Sequence, residues 1–416
     1  MERSVLFLWG LFASAALLLW PLTSLADTPL AVDGGIGVVS TVGVWRLWNQ
    51  PKQLKGGFLF VVLSDGRLLV AGGEPIGPRS DTGPAPTDLL DPRSGMWSVT
   101  APPSLNRAEH AAVALPSGGV LIVGGVDRRK SEPVKHRRSH SYEAPKLSAA
   151  MLASAEVWDR AHGWRRTGSL QDPRAHSKAV LLRDGRVLVT GGIQYTYGPD
   201  YVTLTILTGG RSRVLASTEI WLPRDGRWQT AAPMAQARFF HTATTLDDGR
   251  VLVVGGSPAE MIMAALPVPA ETWDPHTGRW TPAAHPHYDR MRHTATRLPD
   301  GRVLIIGGQT PTRIGTSGAD TRLATAEVWD PRTGRWTDVA PMSFARASHD
   351  AVLLPDGRVL VAGGGGPAAE VWDPVADRWA ATGPFTDQPD YGVSLAPLPD
   401  GTVLLMGMTV QLWSPH

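Results

Sequence analysis

Four histidines, His110, His241, His293 and His349, each stand seven residues ahead of a tight-turn signal. Imidazoles gathered about one axis are the groups that would ligate a metal or move protons. Three residues before each of them is an arginine, Arg107, Arg238, Arg290 and Arg346, and Arg174 holds the same station in a further repeat. A guanidinium at a fixed station is suited to a carboxylate or a phosphate. Both sets are periodic, and a residue that returns at one station of a repeat is explained by the architecture of that repeat. No fixed metal-ligand spacing accompanies the histidines, so they are read as structural, with no metal site and no catalytic residue assigned.

The arginines follow a charge rule. The five repeats that carry them are those whose third apolar run opens with glutamate, at Glu156, Glu219, Glu271, Glu327 and Glu370. The first repeat has Lys55 with Asp88, and the last, with Asp390 in place of a base, has the neutral Gln411. Basic and acidic partners appear and disappear together, which predicts an ion pair inside each repeat.

Paired glycines end each second run, as at Gly72-Gly73 and Gly363-Gly364. A phosphate cradle needs a strand, a glycine-rich loop and a helix N-terminus. No helical period follows any pair, so these glycines are read as backbone turns or close approaches. Trp158, Trp221, Trp273, Trp329, Trp372 and Trp413 resemble sugar-stacking platforms in type, but their periodicity assigns them to the core.

The elements that position these residues form a sevenfold repeat. One unit runs from Ala351 to Gly364, and equivalents end at Gly73, Gly125, Gly192, Gly256 and Gly308, with a degenerate one at Met406-Gly407. Each contains two short apolar runs joined by Asp-Gly, or by Ser117-Gly118, a hairpin signal that defines strands a and b. The acidic-start run is strand c. A tryptophan marks strand d, at Trp97, Trp164, Trp228, Trp280, Trp336 and Trp379, about 20 residues before the next hairpin turn. The last unit stops after strand c, and Trp45 stands where a strand d should precede the first hairpin. The segment around Trp45 is therefore expected to supply the outer strand of the seventh unit and close the ring, leaving no long open edge.

The Arg-x-x-His, Asp-Gly-Arg, Gly-Gly, Glu-x-Trp-Asp-Pro and Gly-Arg-Trp elements resemble kelch repeats, most of all the bacterial type also found in the propeller domain of galactose oxidase. The resemblance covers residues 42–416 and implies an all-β, seven-bladed propeller with four-stranded antiparallel blades. Kelch propellers include enzymes, carbohydrate-processing proteins and interaction platforms, so the resemblance leaves function open. Galactose oxidase itself uses copper and a tyrosine covalently joined to cysteine. This chain has no cysteine, which rejects copper-radical chemistry and leaves no cofactor expected.

Composition bounds the rest. Forty basic against thirty-eight acidic residues give a net charge of +2, too small to draw a nucleic acid by long-range attraction. Absence of cysteine removes disulfides and thiolate metal sites. The apolar run from Val5 to Trp20, ending in Ser24-Leu25-Ala26, predicts a signal peptide over 1–26, followed by a short linker over 27–41. The expected setting is extracytoplasmic, periplasmic or secreted, with no membrane span after cleavage and a monomeric propeller. An uncleaved N-terminal anchor is the alternative, because Glu2 cancels Arg3.

In a four-stranded meander the b–c loops share one face with the d-to-a crossings, and the chain puts its variation there. Blades 2 and 3 have long b–c connections, while that of blade 6, between Gly364 and Glu370, is short. Those long loops carry the off-pattern tyrosines Tyr195, Tyr197 and Tyr201 and a basic run that includes Arg128 and Arg129. Phe240, Tyr288 and Tyr391 are further candidates near blade entrances. A protein or carbohydrate partner is expected over this face, with the tyrosines as anchors and the basic run as rim. The reading is a non-catalytic binding module. The alternative is a cofactor-free carbohydrate enzyme resembling periplasmic sialic-acid mutarotases, which a carboxylate or histidine beside an arginine at the channel mouth would favour.

Overall fold

A computed structural model describes residues 42–51, 55–75, 84–128, 149–195, 212–258, 268–311, 321–387, 392–407 and 409–415. The expected signal peptide and linker lie outside the described residues, as do Arg129, Tyr197, Tyr201 and Tyr391. Among the described residues no helix is long and apolar enough to cross a membrane.

Seven four-stranded antiparallel sheets make up the fold. Strand b is the buried centre of each, as in Val251–Val254 and Val359–Ala362, where all four residues are buried. Such continuous apolar runs are buried on both faces because neighbouring blades cover them, and each fully buried Val or Leu contributes about 1.5–3 kcal/mol. The innermost strands touch in ring order, Lys55–Val62 through Ala111–Ala114, Lys178–Leu181, Thr242–Thr245, Thr294–Arg297, Asp350–Leu353 and Ser394–Pro397, and back to the first. They surround a central channel.

The ring closes as expected. Val44–Leu47 is the outer strand of blade 7, and Trp45 is the register partner of Trp413. Cross-strand tryptophan pairs recur at Trp158 with Trp164, Trp221 with Trp228, Trp273 with Trp280, Trp329 with Trp336 and Trp372 with Trp379. Strand d indoles also tie blades together: Trp228 Nε1 donates to the Gly168 carbonyl and Trp280 Nε1 to that of Ala232, each at 2.8 Å. The tryptophans are thus inter-blade core.

The a–b turn differs from the two-residue hairpin that Asp-Gly most often makes. Leu63 and Arg67 close a three-residue loop, with Gly66 in the left-handed region at φ 83° and its amide donating to Leu63. Asp65 accepts from the Arg67 amide at 3.1 Å, so the aspartate stiffens the turn while the glycine supplies its handedness.

Candidate ligand site at the channel mouth

The architecture around the mouth starts with the five arginines, all buried and all facing their predicted glutamates. The pairs Arg107–Glu156, Arg174–Glu219, Arg238–Glu271, Arg290–Glu327 and Arg346–Glu370 have N···O distances of 2.7, 2.7, 2.5, 2.6 and 3.1 Å. The contacts are not forks. The second terminal nitrogen of each arginine donates instead to the first glycine carbonyl of its own blade, as Arg238 to Gly255 at 3.1 Å. Each glutamate also accepts a backbone amide from the d-to-a crossing, as Glu271 does from Ala235 at 2.8 Å. In blade 7 Gln411 keeps that second role, accepting from the Thr386 amide at 3.0 Å. Where no arginine needs a counter-charge, a neutral acceptor suffices. Lys55 has no described side chain, so its expected pairing with Asp88 lies outside the described residues.

The four histidines are buried in the blades. Thr190, Thr242 and Thr294 hydroxyls lie 2.8, 2.9 and 3.1 Å from Nε2 of His241, His293 and His349. Burial drives His110 and His349 down to about 3 and holds His241 and His293 well below the usual range, so all four rings are neutral. Their rings fill the space left by the glycine pairs. A Cβ on Gly307 would come within 2.8 Å of both His349 Cε1 and the Arg346 carbonyl, and the Gly308 amide bonds that same carbonyl at 2.8 Å. The Gly pair is therefore where one blade's backbone meets the next.

Two residues after each arginine, one residue has a left-handed backbone: Glu109, His176, Phe240, Arg292 and Ser348, at φ 52–58°. Gly392 holds the station in blade 7 with φ 83°. A non-glycine residue held there costs about 1–3 kcal/mol. The turn needs the backbone angle but dictates no side chain, and glycine would adopt it without strain. Five blades nevertheless carry five different residue types in an otherwise repetitive frame.

These residues rim the channel on the b–c loop face. Glu109, His176, Phe240 and Arg292 each directly follow a residue bridged to the outgoing end of strand b, as Ala108 to Val126, Ala175 to Ile193 and Phe239 to Ser257. Neighbours in the rim are bonded through their backbones, His176 to Glu109, Arg292 to Phe240 and Ser348 to Arg292, each at 3.0 Å. The side chains of Glu109, His176, Phe240 and Arg292 form a continuous arc. Glu109 Oε2 lies 3.2 Å from His176 Nε2, the His176 and Phe240 rings are 4.2 Å apart, and the Arg292 guanidinium stands 4.2 Å over Phe240. A carboxylate, an imidazole and a guanidinium are thereby fixed around one opening, held by an aromatic spacer.

Phe240, expected as a ligand contact, is in the arc, beside the His176 ring and the Arg292 guanidinium. Tyr288 lies on the crossing into blade 5, 5.7 Å from the Arg290 guanidinium. Arg128 and Tyr195 lie in short ribbons that begin the two long loops, Val126–Arg128 with Ala149–Met151 and Ile193–Tyr195 with Ser212–Val214. Glu109, His176, Arg292 and Ser348 were missed from the sequence. They share only a place, two residues after the repeated arginine.

Outside the mouth, His287, Glu327 and Asp338 form a further cluster of metal-ligand types, with His287 Nδ1 2.8 Å from Asp338. Both Glu327 oxygens there already accept, one from Arg290 and one from the His287 amide.

Comparison with known proteins agrees with the repeat and the fold. A family model described as the Kelch motif matches residues 290–343. Kelch-like protein 33 of Homo sapiens is 30% identical over 137 residues, 33% of this chain and 23% of that protein. Galactose oxidase of Gibberella zeae is 25% identical over 292 residues, 67% of this chain and 39% of that protein. The matches thus span well under half the length of these relatives. A solved structure of a fungal alcohol oxidase of the AA5 family, in complex with copper, superposes with a TM-score of 0.66 at 18% identity, covering 91% of this chain and 76% of that one, and it shows the shared fold. The residues here do not fit a copper-radical centre. The chain lacks cysteine, and the described donors of the rim are one carboxylate beside one imidazole, with a guanidinium across the phenyl ring from them.

Proposed function

This chain is a kelch-repeat β-propeller, and from that premise we propose that it is an extracytoplasmic binding module whose partner docks on the b–c loop face. The partner lies over the ribbons of blades 2 and 3 and reaches the arc of Glu109, His176, Phe240 and Arg292. One observation carries this reading: the residues that vary between blades are gathered on that face, while the opposite face is built of repeated Asp-Gly-Arg turns. Loops and strained stations on a rigid scaffold are where recognition resides. Its kelch relatives support a binding role, and the export signal read in residues 1–26 supports the compartment.

The test is affinity capture from an envelope extract of the source cells, with wild type and three variants as bait. Replacing 129–148 and 196–211 by short connections, or combining Glu109→Ala with Arg292→Ala, is expected to abolish capture of the partner that wild type retains. Charge reversal at Arg67 and Arg93, on the other face, is expected to leave it intact. The opposite pattern overturns the reading.

The Glu109–His176 pair close to Arg292 favours a second reading, a cofactor-free carbohydrate enzyme using the pair for proton transfer. Anomer exchange of reducing sugars, followed by NMR, would then be accelerated by wild type and not by Glu109→Gln. Equal rates with and without wild-type protein dismiss it.

A further inference from the structure

Like charges directly opposite each other on paired strands are destabilising, so the residue facing each strand c glutamate across strand d is under constraint. Glu156 faces Arg166, Glu219 faces Thr230, Glu271 faces Pro282 and Glu370 faces Ala381. Blade 5 breaks the rule, for there Glu327 faces Asp338. The d-to-a crossing departs at the same point. The residue whose amide donates to the glutamate is Ser104, Gln171, Ala235 or Ser343 in the other four blades, and in blade 5 it is His287. One blade of the five thus adds an imidazole and a second carboxylate around its buried glutamate.

The three side chains converge. His287 Nδ1 lies 2.8 Å from Asp338 Oδ1 and 4.0 Å from Glu327 Oε2, and one ligand atom from each residue falls within 4.8 Å of the others. Ligands at about 2.0–2.2 Å around a tetrahedral ion stand about 3.4 Å apart, between those two distances. Glu327 is buried and held from two sides, because Arg290 donates to Oε1 at 2.6 Å and the His287 amide to Oε2 at 2.7 Å. Each carboxylate oxygen has two lone pairs, so Oε2 keeps one for a further partner. Arg290 balances one of the two facing carboxylates and leaves the other to a second cation. The side chains of His287 and Asp338 are 48% and 56% exposed, which gives them freedom to turn toward an ion and leaves one position open to water.

We propose that His287, Glu327 and Asp338 form a site for a divalent transition-metal ion of the zinc type, bound through His287 Nδ1 and one oxygen of each carboxylate, with water as the fourth ligand. One imidazole nitrogen beside two carboxylate oxygens suits zinc, whereas calcium and magnesium take oxygen ligands. The ion takes the place of the His287–Asp338 hydrogen bond, relieves the facing carboxylates and ties the crossing into blade 5 to strands c and d of that blade. The site shares no residue with the arc of Glu109, His176, Phe240 and Arg292, so it stands or falls separately from the binding reading.

The test is a titration of tag-free, metal-free wild-type protein with Zn2+ against a chromophoric chelator, alongside His287→Ala and Asp338→Asn. Wild type is expected to take up Zn2+ at a site that either substitution weakens by about 100-fold, and the rise in Tm that Zn2+ gives wild type is expected to vanish in both variants. Both side chains are at the surface, so the metal-free variants should melt close to wild type, which shows that they fold. Co2+ in place of Zn2+ should give visible d–d bands in wild type that Asp338→Asn lacks. Zn2+ uptake retained in full by both variants assigns the metal to other residues and overturns the proposal. Absence of uptake by wild type overturns it too, leaving His287 as a hydrogen-bond partner of Asp338 alone. A rise in Tm with Ca2+ equal to that with Zn2+ overturns the choice of ion.

Discussion

Trp45 and Trp413 stand opposite each other across the outer pair of strands in blade 7, although they come from opposite ends of the described chain. Trp45 Nε1 donates to Thr382 of blade 6 at 3.0 Å, and Trp413 Nε1 to the Val42 carbonyl at 3.2 Å. The last blade is therefore fastened both to the first residues of the propeller and to its neighbour. Trp45→Ala is expected to cost about 3–5 kcal/mol in urea unfolding, through lost burial and a cavity. A cost below about 1 kcal/mol would show that the ring does not depend on this closure.

The buried ion pairs are expected to behave asymmetrically. Arg238→Met leaves the Glu271 carboxylate buried without its counter-charge, at about 3–5 kcal/mol. Adding Glu271→Leu removes the stranded charge and should restore part of the loss. If the double variant is the sum of two large single losses, the pair is not acting as a unit.

Acid should weaken the protein earlier than its carboxylates alone would dictate. His110, His241, His293 and His349 have folded pKa values far below the ordinary 6.5, two of them about 3. A depressed histidine contributes stability that is whole above 6.5 and is lost as the pH falls toward its folded value, because only the unfolded chain takes up the proton. Each contributes a slope of about 1.4 kcal/mol per pH unit inside that window. Carboxylates with lowered pKa, such as Asp65, act in the same direction but begin near 3.8. Unfolding free energies between pH 6 and 4.5 should therefore fall steeply, and less steeply in His349→Gln. A flat profile there contradicts neutral buried rings.

The left-handed rim stations predict a stabilising substitution. Ser348 has φ 55°, so Ser348→Gly relieves strain and is expected to raise stability by about 1 kcal/mol. A loss of stability would mean that the serine side chain, not the backbone angle, dominates at this station.

The propeller was legible because its devices repeat. The Arg–Glu pairing could be read from Arg346 and Glu370 because charge and its absence covary from blade to blade, and the closure because Trp45 keeps the strand d phase. The rim was not legible, because its backbone angle is imposed by the turn into strand a and its residue types share no chemistry. Gly392 alone hints at a left-handed station. Tyr195 and Arg128 stood out by composition, yet what the fold builds between their loops is an arc of residues from four blades.

Hydrogen exchange of the propeller with and without its captured partner tests the account most directly. Partner-induced protection is expected at residues 108–111, 175–178, 239–242 and 291–294, which carry the rim arc, with the Asp-Gly-Arg turns at 64–67, 184–186 and 300–302 unchanged. Protection confined to those turns, with the rim exchanging as in the free protein, would contradict it.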